Sequence, residues 1–419
     1  MGCYLLSPVL FRIIWYGFCM KILAIETSCD ETSVAIMEVN GSRHQPTLRV
    51  CEHLVASQVE MHAKFGGVVP NLAKREHQRL LVPLTLRALK KAGMHKSSKF
   101  KVQSLTLTLK NKNLLQTILE REPELLSQFP KRILPLDIPD IDVIAVTHGP
   151  GLAPALWVGV NFAKALALVW KRPVIPMNHM KGHLYAAFVP ETIHYSAPFQ
   201  FPRLRFAVIA LLVSGGHTEL VLMKKFGDYK IIGETLDDAA GEAFDKVARM
   251  MKLGYPGGPA IATEAAKFKN VKIERLKIRL PRPMISSKDY NFSFSGLKTA
   301  VLYALRDLPK GTRMTSVIPA MAKEFQDAVV DVLVAKTIRA AKEYGVKTIA
   351  VGGGVSANHL LRERLSQEVK KQLPNAKLFL PHVSLTGDNA LMIAIAAALD
   401  GKKKAPNDIG AEANLRLGN

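Results

Sequence analysis

The sequence is poor in cysteine, and its cysteines show no pattern that suggests disulfides. Four of its 419 residues are cysteines, at positions 3, 19, 29 and 51, and no two form a C-x-x-C pair. Their spacing is irregular, unlike that of a disulfide framework, so a reducing compartment is expected and we predict a cytoplasmic protein. The composition, 48% apolar and 22% charged, argues against a disordered, collagen-like or coiled-coil chain and is typical of a globular protein with two or three domains.

Acidic residues are scarce relative to basic ones. The chain has 35 Asp and Glu against 57 Lys and Arg, a formal net charge of +22. Such an excess attracts polyanions, so nucleic acid is the first partner to consider, although a basic surface that only aids solubility is the alternative. The most basic segment, residues 267–288, has eight basic residues, one acidic residue and interleaved apolar residues. We predict that it forms an edge that binds nucleic acid.

Long uncharged apolar runs are also scarce. Residues 1–20 are mostly apolar, with Arg12 as their one charge, but they lack the basic start and the small-residue cleavage site of a signal peptide. We interpret them as an extension or a mis-called start, with Met20 as the natural first residue. No other run of 18 uncharged apolar residues occurs, so we predict no membrane association.

Two stretches of the chain share one pattern, which indicates an internal duplication. Each has two apolar strands joined by a polar turn, at 22–25 and 34–37 and again at 207–213 and 220–223. Third strands are expected at 49–57 and 229–233, and strand and helix alternate at 141–146 and 155–170, at 173–177 and 179 onward, and at 348–351 and 358–370. The pattern predicts an α/β protein with mixed sheets flanked by helices and two lobes around a cleft.

The lobe boundaries follow from this duplication. We predict an N-terminal lobe at 20–195, completed by a C-terminal helix at about 386–405, and a C-terminal lobe at 196–385. Residues 95–139 interrupt the rhythm of strands and helices with a polar helical stretch at 113–126. We interpret them as a surface insertion.

Two histidines four residues apart indicate a candidate metal site. In His179-Met-Lys-Gly-His183 the spacing places both imidazoles on one face of a helix. Histidines so spaced are packing or surface residues about as often, and a zinc protease would need Glu in place of Met180. Asp388, just before the apolar helix 391–399, is a candidate third ligand, although the residues alone favour a role in binding free helix amides. Iron, zinc and manganese all suit such ligands.

Glycine-rich turns follow three of the predicted strands, at 149–151, 214–216 and 352–354. None matches a dinucleotide-binding or P-loop motif, so they predict a different phosphate site built from backbone amides. Asp245 and Asn358 are candidates to contact a ribose or a base. Each is equally plausible as a helix-surface or cap residue.

These motifs together resemble a known family, the tRNA N6-adenosine threonylcarbamoyltransferases, which share a duplicated actin-like, sugar-kinase-like fold. The motifs are Ala24-Ile-Glu-Thr-Ser-Cys-Asp-Glu-Thr-Ser33, Val146-Thr-His-Gly-Pro-Gly-Leu152, Gly159-Val-Asn-Phe-Ala-Lys-Ala165, Asn178-His-Met-Lys-Gly-His183, Leu212-Val-Ser-Gly-Gly-His-Thr218, Phe292-Ser-Phe-Ser-Gly-Leu-Lys-Thr299 and Gly352-Gly-Gly-Val-Ser-Ala-Asn358. The His-Met-x-Gly-His form is similar to the bacterial and organellar branch. Residues 1–20 and 95–139 fall outside the resemblance, and departures at His148 and 153–155 touch no implied ligand.

The resemblance implies an acyltransferase. It would move the threonylcarbamoyl group of threonylcarbamoyl-AMP to the exocyclic amine of the adenosine next to the anticodon, in tRNAs that read codons starting with A, and release AMP. It implies one divalent metal ion per chain, with iron favoured and zinc as the alternative. The implied residues are His179, His183 and Asp388 for the metal; Leu212, Val213, Ser214, Gly215, Gly216, Asp245, Gly258 and Asn358 for the donor; and Glu26, Asp30 and Glu31 as acids facing the cleft.

The role of the acids stays open, because Glu26 is expected either to order the metal site or to take a proton, and a solvated turn is comparably plausible. The resemblance also implies partners: tRNA, an inactive paralogue and a small ATPase. Two other functions fit parts of the pattern. A metallopeptidase would use the histidines but lacks the glutamate, and an ATP-binding kinase or chaperone of the same fold would not need the histidines.

Overall fold

Two mixed β-sheets with helices on their faces make up the part of the chain that the computed structural model describes: residues 19–43, 45–95, 109–190, 197–270, 278–309, 311 and 314–418. The first sheet has the order β5-β4-β1-β2-β3-β6 and the second β11-β10-β7-β8-β9. The first contains β1 (Met20–Glu26), β2 (Glu31–Ser42), β3 (Gln45–Ser57), β4 (Val143–Gly149), β5 (Val174–Asn178) and β6 (Phe199–Gln200). The second contains β7 (Val208–Val213), β8 (Thr218–Lys225), β9 (Asp228–Glu234), β10 (Thr348–Gly352) and β11 (Lys377–Phe379).

The two sheets repeat one topology. In each, the first three strands form an antiparallel meander, and two later strands join parallel to the first strand. The predicted α/β fold with a duplicated two-lobed architecture is therefore confirmed.

Helices cover both sheets. Around the first are α1 (Val59–Ala63), α2 (Pro70–Lys91), α3 (Leu109–Leu119), α4 (Pro123–Arg132), α5 (Ala153–Trp170) and α6 (His179–Ala186). The later helices are α7 (Ala240–Met250), α8 (Gly257–Ala266), α9 (Ser295–Arg306), α10 (Met314–Glu343), α11 (His359–Gln372) and α12 (Ala390–Asp400).

The strands are buried on both faces, with side chains that alternate between two cores. Ala24 of β1 and Ala210 of β7 face a core shared by the two lobes, whereas their neighbours Ile25 and Ile209 face the outer core of their own lobe. Helices α6 and α12 lie in the shared core, and α12 packs on α6 and on β1 to β5. The last helix of the chain thus lies on the first sheet.

The segment interpreted as a surface insertion is partly built into the core. Helices α3 and α4 pack on α5 and α2, and Leu119, Leu125 and Phe129 are fully buried there. The expected helix at 113–126 is broken, because a new helix starts at Pro123, a residue favoured in the first turn. The surface interpretation is therefore wrong for α3 and α4. Residues 96–108 lie outside the described part of the chain.

Helix α5 is the one described helix that is long and apolar enough to cross a membrane. It is 67% buried and packs on β4 and α2. The core helix of a globular protein passes the same test of length and composition, so this helix is weak evidence for a membrane span.

Residues 402–418 form a C-terminal tail that contacts both sheets. The backbone N–H of Glu412 donates to the carbonyl of His148, 2.7 Å away. Farther along, the Arg416 guanidinium forms an ion pair with Glu234 of β9, 2.8 Å from both carboxylate oxygens. Nothing in the sequence pattern predicted that the tail would join the lobes.

Candidate metal and ligand site

A cavity of about 670 Å³ lies where the turns of the two sheets meet. Its walls come from the β1–β2 turn, the 150–152 turn, α6, the β7–β8 turn, α7, the start of α8, the segment after β10 and the residues before α12. The cleft predicted from the duplication is thus present, with glycine-rich turns from both lobes in its walls.

The start of α6 determines the positions of the two histidines. Asn178 caps this helix, because its side-chain oxygen accepts hydrogen bonds from the backbone N–H groups of Met180 (2.9 Å) and Lys181 (3.3 Å). His179 and His183 then lie on one face, with ring centroids 4.6 Å apart. Both side chains are at least nine-tenths buried.

Asp388 contacts the histidine pair although it lies 205 residues after His183 in the sequence. Its Oδ1 lies 3.3 Å from Nε2 of His179 and 3.1 Å from Nε2 of His183. The helix-capping role that the residues alone favoured for it belongs to Asn389, whose side chain accepts from the backbone N–H of Met392. The structure therefore brings together the three side chains that the resemblance implied.

These three side chains fit a divalent cation. Their ligand atoms lie within 4.8 Å of one another. Ligands about 2.1 Å from one ion stand about 3.0 Å apart at right angles and about 3.4 Å apart in a tetrahedron, close to the 3.3 Å and 3.1 Å that separate Oδ1 of Asp388 from the two imidazoles. Burial lowers the pKa of His179, but the carboxylates of Asp388 and Glu26 outweigh burial and raise that pKa well above its usual value. The site therefore favours a positive charge.

Glu26 lies behind the candidate metal ligands and does not line the cavity. Its carboxylate is fully buried, 3.1 Å from Nδ1 of His179, and accepts hydrogen bonds from the Thr147 hydroxyl and the Ser28 backbone N–H, each at 2.5 Å. This corrects the expectation that Glu26 faces the cleft. Since a partner on Nδ1 fixes the ring orientation and presents Nε2 to a metal, Glu26 is a positioning residue.

Asp30 and Glu31 do line the cavity. Burial, followed by the nearby carboxylates of Asp388 and Asp30, raises the pKa of Glu31 to about 10. Glu31 therefore carries a proton at neutral pH. The Ser57 hydroxyl donates to Oε1 of Glu31 at 3.2 Å, which fixes the carboxyl group at the cavity wall.

Six of the eight residues predicted to bind the donor line the cavity: Ser214, Gly215, Gly216, Asp245, Gly258 and Asn358. Leu212 and Val213 do not, because both side chains lie within β7 and are fully buried, Leu212 in the shared core and Val213 in the outer core of the second lobe. The structure places these two residues behind the turn and not at the ligand space.

Asp245 and Asn358 combine a place at the cavity with bonds that shape its walls. Oδ1 of Asp245 accepts a hydrogen bond from the backbone N–H of Gly257 at 2.7 Å, and burial raises the pKa of the Asp245 carboxyl. Asn358 caps α11 through the backbone N–H of Leu361 and donates to Gln326. Asn358 therefore caps a helix, as one of the two interpretations predicted, and it also lines the cavity.

Five glycines face open space at the cavity: Gly215, Gly216, Gly258, Gly354 and Gly387. A Cβ atom added at any of them would meet no protein atom within 4 Å. By contrast, a Cβ on Gly241 would lie 2.5 Å from the carbonyl oxygen of Ser214. The five glycines therefore leave room for a ligand close to the backbone, whereas Gly241 is required by packing.

Sequence reasoning did not single out His217 or Tyr255, which also line the cavity. Burial, together with the nearby imidazoles of His179 and His183, lowers the pKa of His217 to about 4, so its ring is neutral at physiological pH. His217 directly follows the glycine turn in the motif 212–218, and that position was the available signal. Tyr255 has no comparable signal.

The basic segment 267–288 is described only in part, since residues 271–277 lie outside the described ranges. Within the described part, Arg282 forms ion pairs with Glu324 and with Asp331, the latter at 3.0 Å. That arginine serves the packing of its own lobe. The proposed nucleic-acid edge stays a prediction.

Comparison with known proteins gives consistent matches. The family model described as tRNA N6-adenosine threonylcarbamoyltransferase (TsaD) matches residues 49–100 and 131–395. Proteins with that name are 40% identical in Persephonella marina (strain DSM 14350 / EX-H1), over 90% of this chain and 88% of the relative, and 41% identical in Bacillus subtilis (strain 168), over 95% and 96%. A crystal structure of T. kodakarensis HypF matches with a TM-score of 0.45 and 15% identity over 66% of this chain and 43% of that one, too partial a similarity to add to these matches.

Proposed function

Because the chain belongs to the tRNA N6-adenosine threonylcarbamoyltransferase family, it is a transferase that modifies tRNA, and we propose that the cavity between its lobes is where the transfer takes place. The donor is threonylcarbamoyl-AMP, and the acceptor is the exocyclic amine of the adenosine next to the anticodon, in tRNAs that read codons starting with A. The observation that carries this proposal is the convergence of His179, His183 and Asp388 beside glycines that leave room for a ligand.

The proposed reaction is a single acyl transfer. The amine nitrogen forms a bond to the carbamoyl carbon, the bond from that carbon to the phosphate oxygen breaks, and AMP leaves. The amine loses one proton, and we assign its acceptance to Asp30, which faces the cavity. Glu31, protonated at neutral pH, donates a hydrogen bond to an oxygen of threonylcarbamoyl-AMP in this proposal.

The glycine turns and Asp245 hold the donor in this proposal. Backbone amides at Gly215 and Gly216 bind phosphate oxygens, as the amides of such turns commonly do. Asp245 and Asn358, which both line the cavity, bind the ribose or the base. A cavity of about 670 Å³ is within the usual range for ligands of this size.

We propose that His179, His183 and Asp388 hold one divalent metal ion per chain. Iron is the metal that the family resemblance favours, and zinc suits the same donor atoms. A bound ion would supply Lewis-acid chemistry that offsets negative charge growing on the donor as it breaks. Glu26 fixes the ring of His179 for this purpose.

The substrate and partner proposals follow from charge and family. A chain with a net charge of +22 suits a folded RNA, whose phosphates it neutralises, so tRNA binding should weaken as salt rises. An inactive paralogue and a small ATPase are proposed as protein partners in the cytoplasm. The peptidase alternative is not favoured, because Met180, at the position of the protease glutamate, is 1% exposed and lies in the shared core.

The test is the modification itself. Cells depleted of the protein should lose threonylcarbamoyladenosine from their tRNA, measured by mass spectrometry of nuclease digests. Wild type should restore the nucleoside, His183→Ala should not, and His95→Ala, a change at an exposed histidine, should behave as wild type. Unchanged nucleoside after depletion, in cells with no second copy, would refute the proposal.

A further inference from the structure

We propose that His62, Gln58 and His77 form a buried positioning network that holds the acid turn, residues 28–31, in its reactive geometry. The inference rests on the proposed function, because Asp30 and Glu31 are the carboxyl groups assigned to the reaction. His62 and His77 are fully buried and Gln58 is 4% exposed, yet none of them lines the cavity.

The network starts at the loop before α2. The backbone N–H of Val69 donates to Nδ1 of His62 at 3.3 Å. On the other side of the same ring, Nε2 of His62 lies 3.2 Å from Oε1 of Gln58. Because Nδ1 accepts, the proton of the neutral ring must sit on Nε2, which then donates to the amide oxygen.

The network continues to the acid turn through Thr32. Nε2 of Gln58 donates to the Thr32 hydroxyl at 3.5 Å, and that hydroxyl lies 2.8 Å from Nδ1 of His77. Nε2 of His77 lies 3.0 Å from the carbonyl oxygen of Cys29. A carbonyl only accepts, so the ring donates from Nε2 and accepts from Thr32 at Nδ1. Burial lowers the pKa of His77, in keeping with a neutral ring.

Two consecutive carbonyls of the acid turn are held in this way. His77 holds the carbonyl of Cys29, and the backbone N–H of Gln58 donates to the carbonyl of Asp30 at 3.0 Å. These are the peptide groups on either side of Asp30, and the second one leads into Glu31. The direction in which both carboxyl groups point therefore depends on bonds made outside the cavity.

The far end of the network touches the opposite lobe. Arg249 of α7 donates a hydrogen bond to the carbonyl of Gly66, in the loop that leads to Val69. Arg249 stands one helical turn after Asp245, which lines the cavity. The loop, the acid turn and the helix that carries Asp245 are thus joined by one chain of contacts.

A purely packing role does not account for this arrangement. Within the network each donor has an acceptor, so the hydrogen bonds all run in one direction, from the N–H of Val69 to the carbonyl of Cys29. A fully satisfied polar network in a buried region fixes one conformation, whereas apolar side chains of similar size would fill the same space without orienting the turn. Orientation of the turn is what the network adds.

The test compares Thr32→Val with Thr32→Ser. Valine keeps the shape and removes the hydroxyl that bridges Gln58 and His77, so that only the longer direct contact between Nε2 of Gln58 and Nδ1 of His77, 3.4 Å, joins them. Serine keeps the hydroxyl. With the full-length protein, its partner proteins, threonylcarbamoyl-AMP and tRNA, we expect kcat to fall about tenfold in Thr32→Val with little change in KM, because a loosened acid turn misplaces the reacting groups. Thr32→Ser should stay near wild type.

A second readout does not depend on the transfer reaction. Cys29 lies in the acid turn, and burial raises the pKa of its thiol, so alkylation by iodoacetamide is slow while the turn keeps its geometry. The rate of alkylation, followed by mass spectrometry, therefore reports how often the turn opens. We expect about a tenfold faster rate in Thr32→Val and no change at Cys51, which serves as an internal reference. If wild type fails to transfer, the proposed function is wrong, and this readout still tests the network.

A substitution at the exposed end of the network, Arg249, distinguishes a loss of positioning from a loss of folding. The side chain of Arg249 is exposed, so Arg249→Ala should fold normally, and we expect about a threefold faster alkylation of Cys29. The proposal is overturned if Thr32→Val leaves kcat and Cys29 alkylation as in wild type. It is also overturned if Thr32→Val fails to fold and Arg249→Ala leaves Cys29 unchanged.

Discussion

Oε2 of Glu26 lies 3.1 Å from Nδ1 of His179, while Nε2 of the same ring faces Asp388 at 3.3 Å. The imidazole is therefore held between two carboxylates, one at the cavity and one in the core behind it. The orientation of the His179 ring therefore depends on Glu26 as much as on Asp388.

Replacing Glu26 should weaken the metal site without touching a ligand. We expect Glu26→Ala to reduce metal affinity about 10- to 100-fold, as is usual when the partner of a ligating histidine is removed. The measurement is a competition titration with a chelator, using zinc and ferrous iron. Glu38→Gln, a change at the carboxylate that pairs with Arg49 at the far end of the same sheet, is the control. Equal affinities in Glu26→Ala and wild type would contradict this role.

Two glycine substitutions should distinguish a glycine that leaves room for the ligand from a glycine that is required by packing. Gly258→Ala meets no protein atom and lies in the first turn of α8, so the melting temperature should hold or rise, while AMP affinity falls about tenfold because the methyl group fills ligand space. Gly241→Ala should lower stability by about 1–3 kcal/mol, since its Cβ would overlap the carbonyl of Ser214. Calorimetric titration with AMP and thermal melts check both. Undiminished AMP binding by Gly258→Ala would place the ligand elsewhere.

Glu219 should make the protein less stable as pH rises. Burial, with the nearby Glu234 carboxylate, raises the pKa of Glu219 from 4.5 to about 7, and its Oε2 has no hydrogen-bond partner among the described residues. Below pH 4.5 both folded and unfolded states are protonated; between 4.5 and 7 only the unfolded state loses the proton, so stability falls by up to about 3 kcal/mol.

Glu219→Gln should therefore be more stable than wild type at pH 8, with the difference disappearing near pH 4. Urea unfolding at a series of pH values measures it, and Glu60→Gln, at an exposed carboxyl, controls for the loss of one charge. A constant difference across the pH range would show that Glu219 is ionised in the folded protein.

The C-terminal tail should contribute to stability mainly through its apolar residues. Ile409 and Leu417 are 4% and 5% exposed, so deleting residues 402–419 should cost about 3–6 kcal/mol. Arg416→Ala should cost under about 1 kcal/mol, because its ion pair with Glu234 is exposed to solvent. Urea denaturation of both variants gives the comparison, and a tail deletion as stable as wild type would show that these contacts are dispensable.

Local spacing predicted much of the fold. Apolar runs joined by polar turns predicted both hairpins, and the spacing of His179 and His183 predicted their common helix face. Asp388 was different, because it lies 205 residues from His183 and no local pattern joins them; the family resemblance supplied it. Glu26 was misplaced because a strand-end carboxyl in a polar turn gives no sign of which way it points.

The misjudged insertion has a similar cause. Its apolar residues, Leu119, Leu125 and Phe129, are divided between two short helices, so neither shows the long periodic pattern that indicates a core helix. The tail was missed for another reason. Its hydrogen bonds with the first lobe are made largely by backbone groups, which have no sequence signature, and its contact with the second lobe includes a single long-range ion pair, Arg416 with Glu234.

The position of α12 has a consequence for the synthesis of the protein. Asp388 leaves the ribosome 205 residues after His183, and the helix that completes the first lobe follows it. Until then α6 lacks α12, the helix it packs against most extensively, although β7 and β10 already contact it. A chain that terminates before Asp388 would thus retain both imidazoles yet lack the third ligand of the proposed metal site.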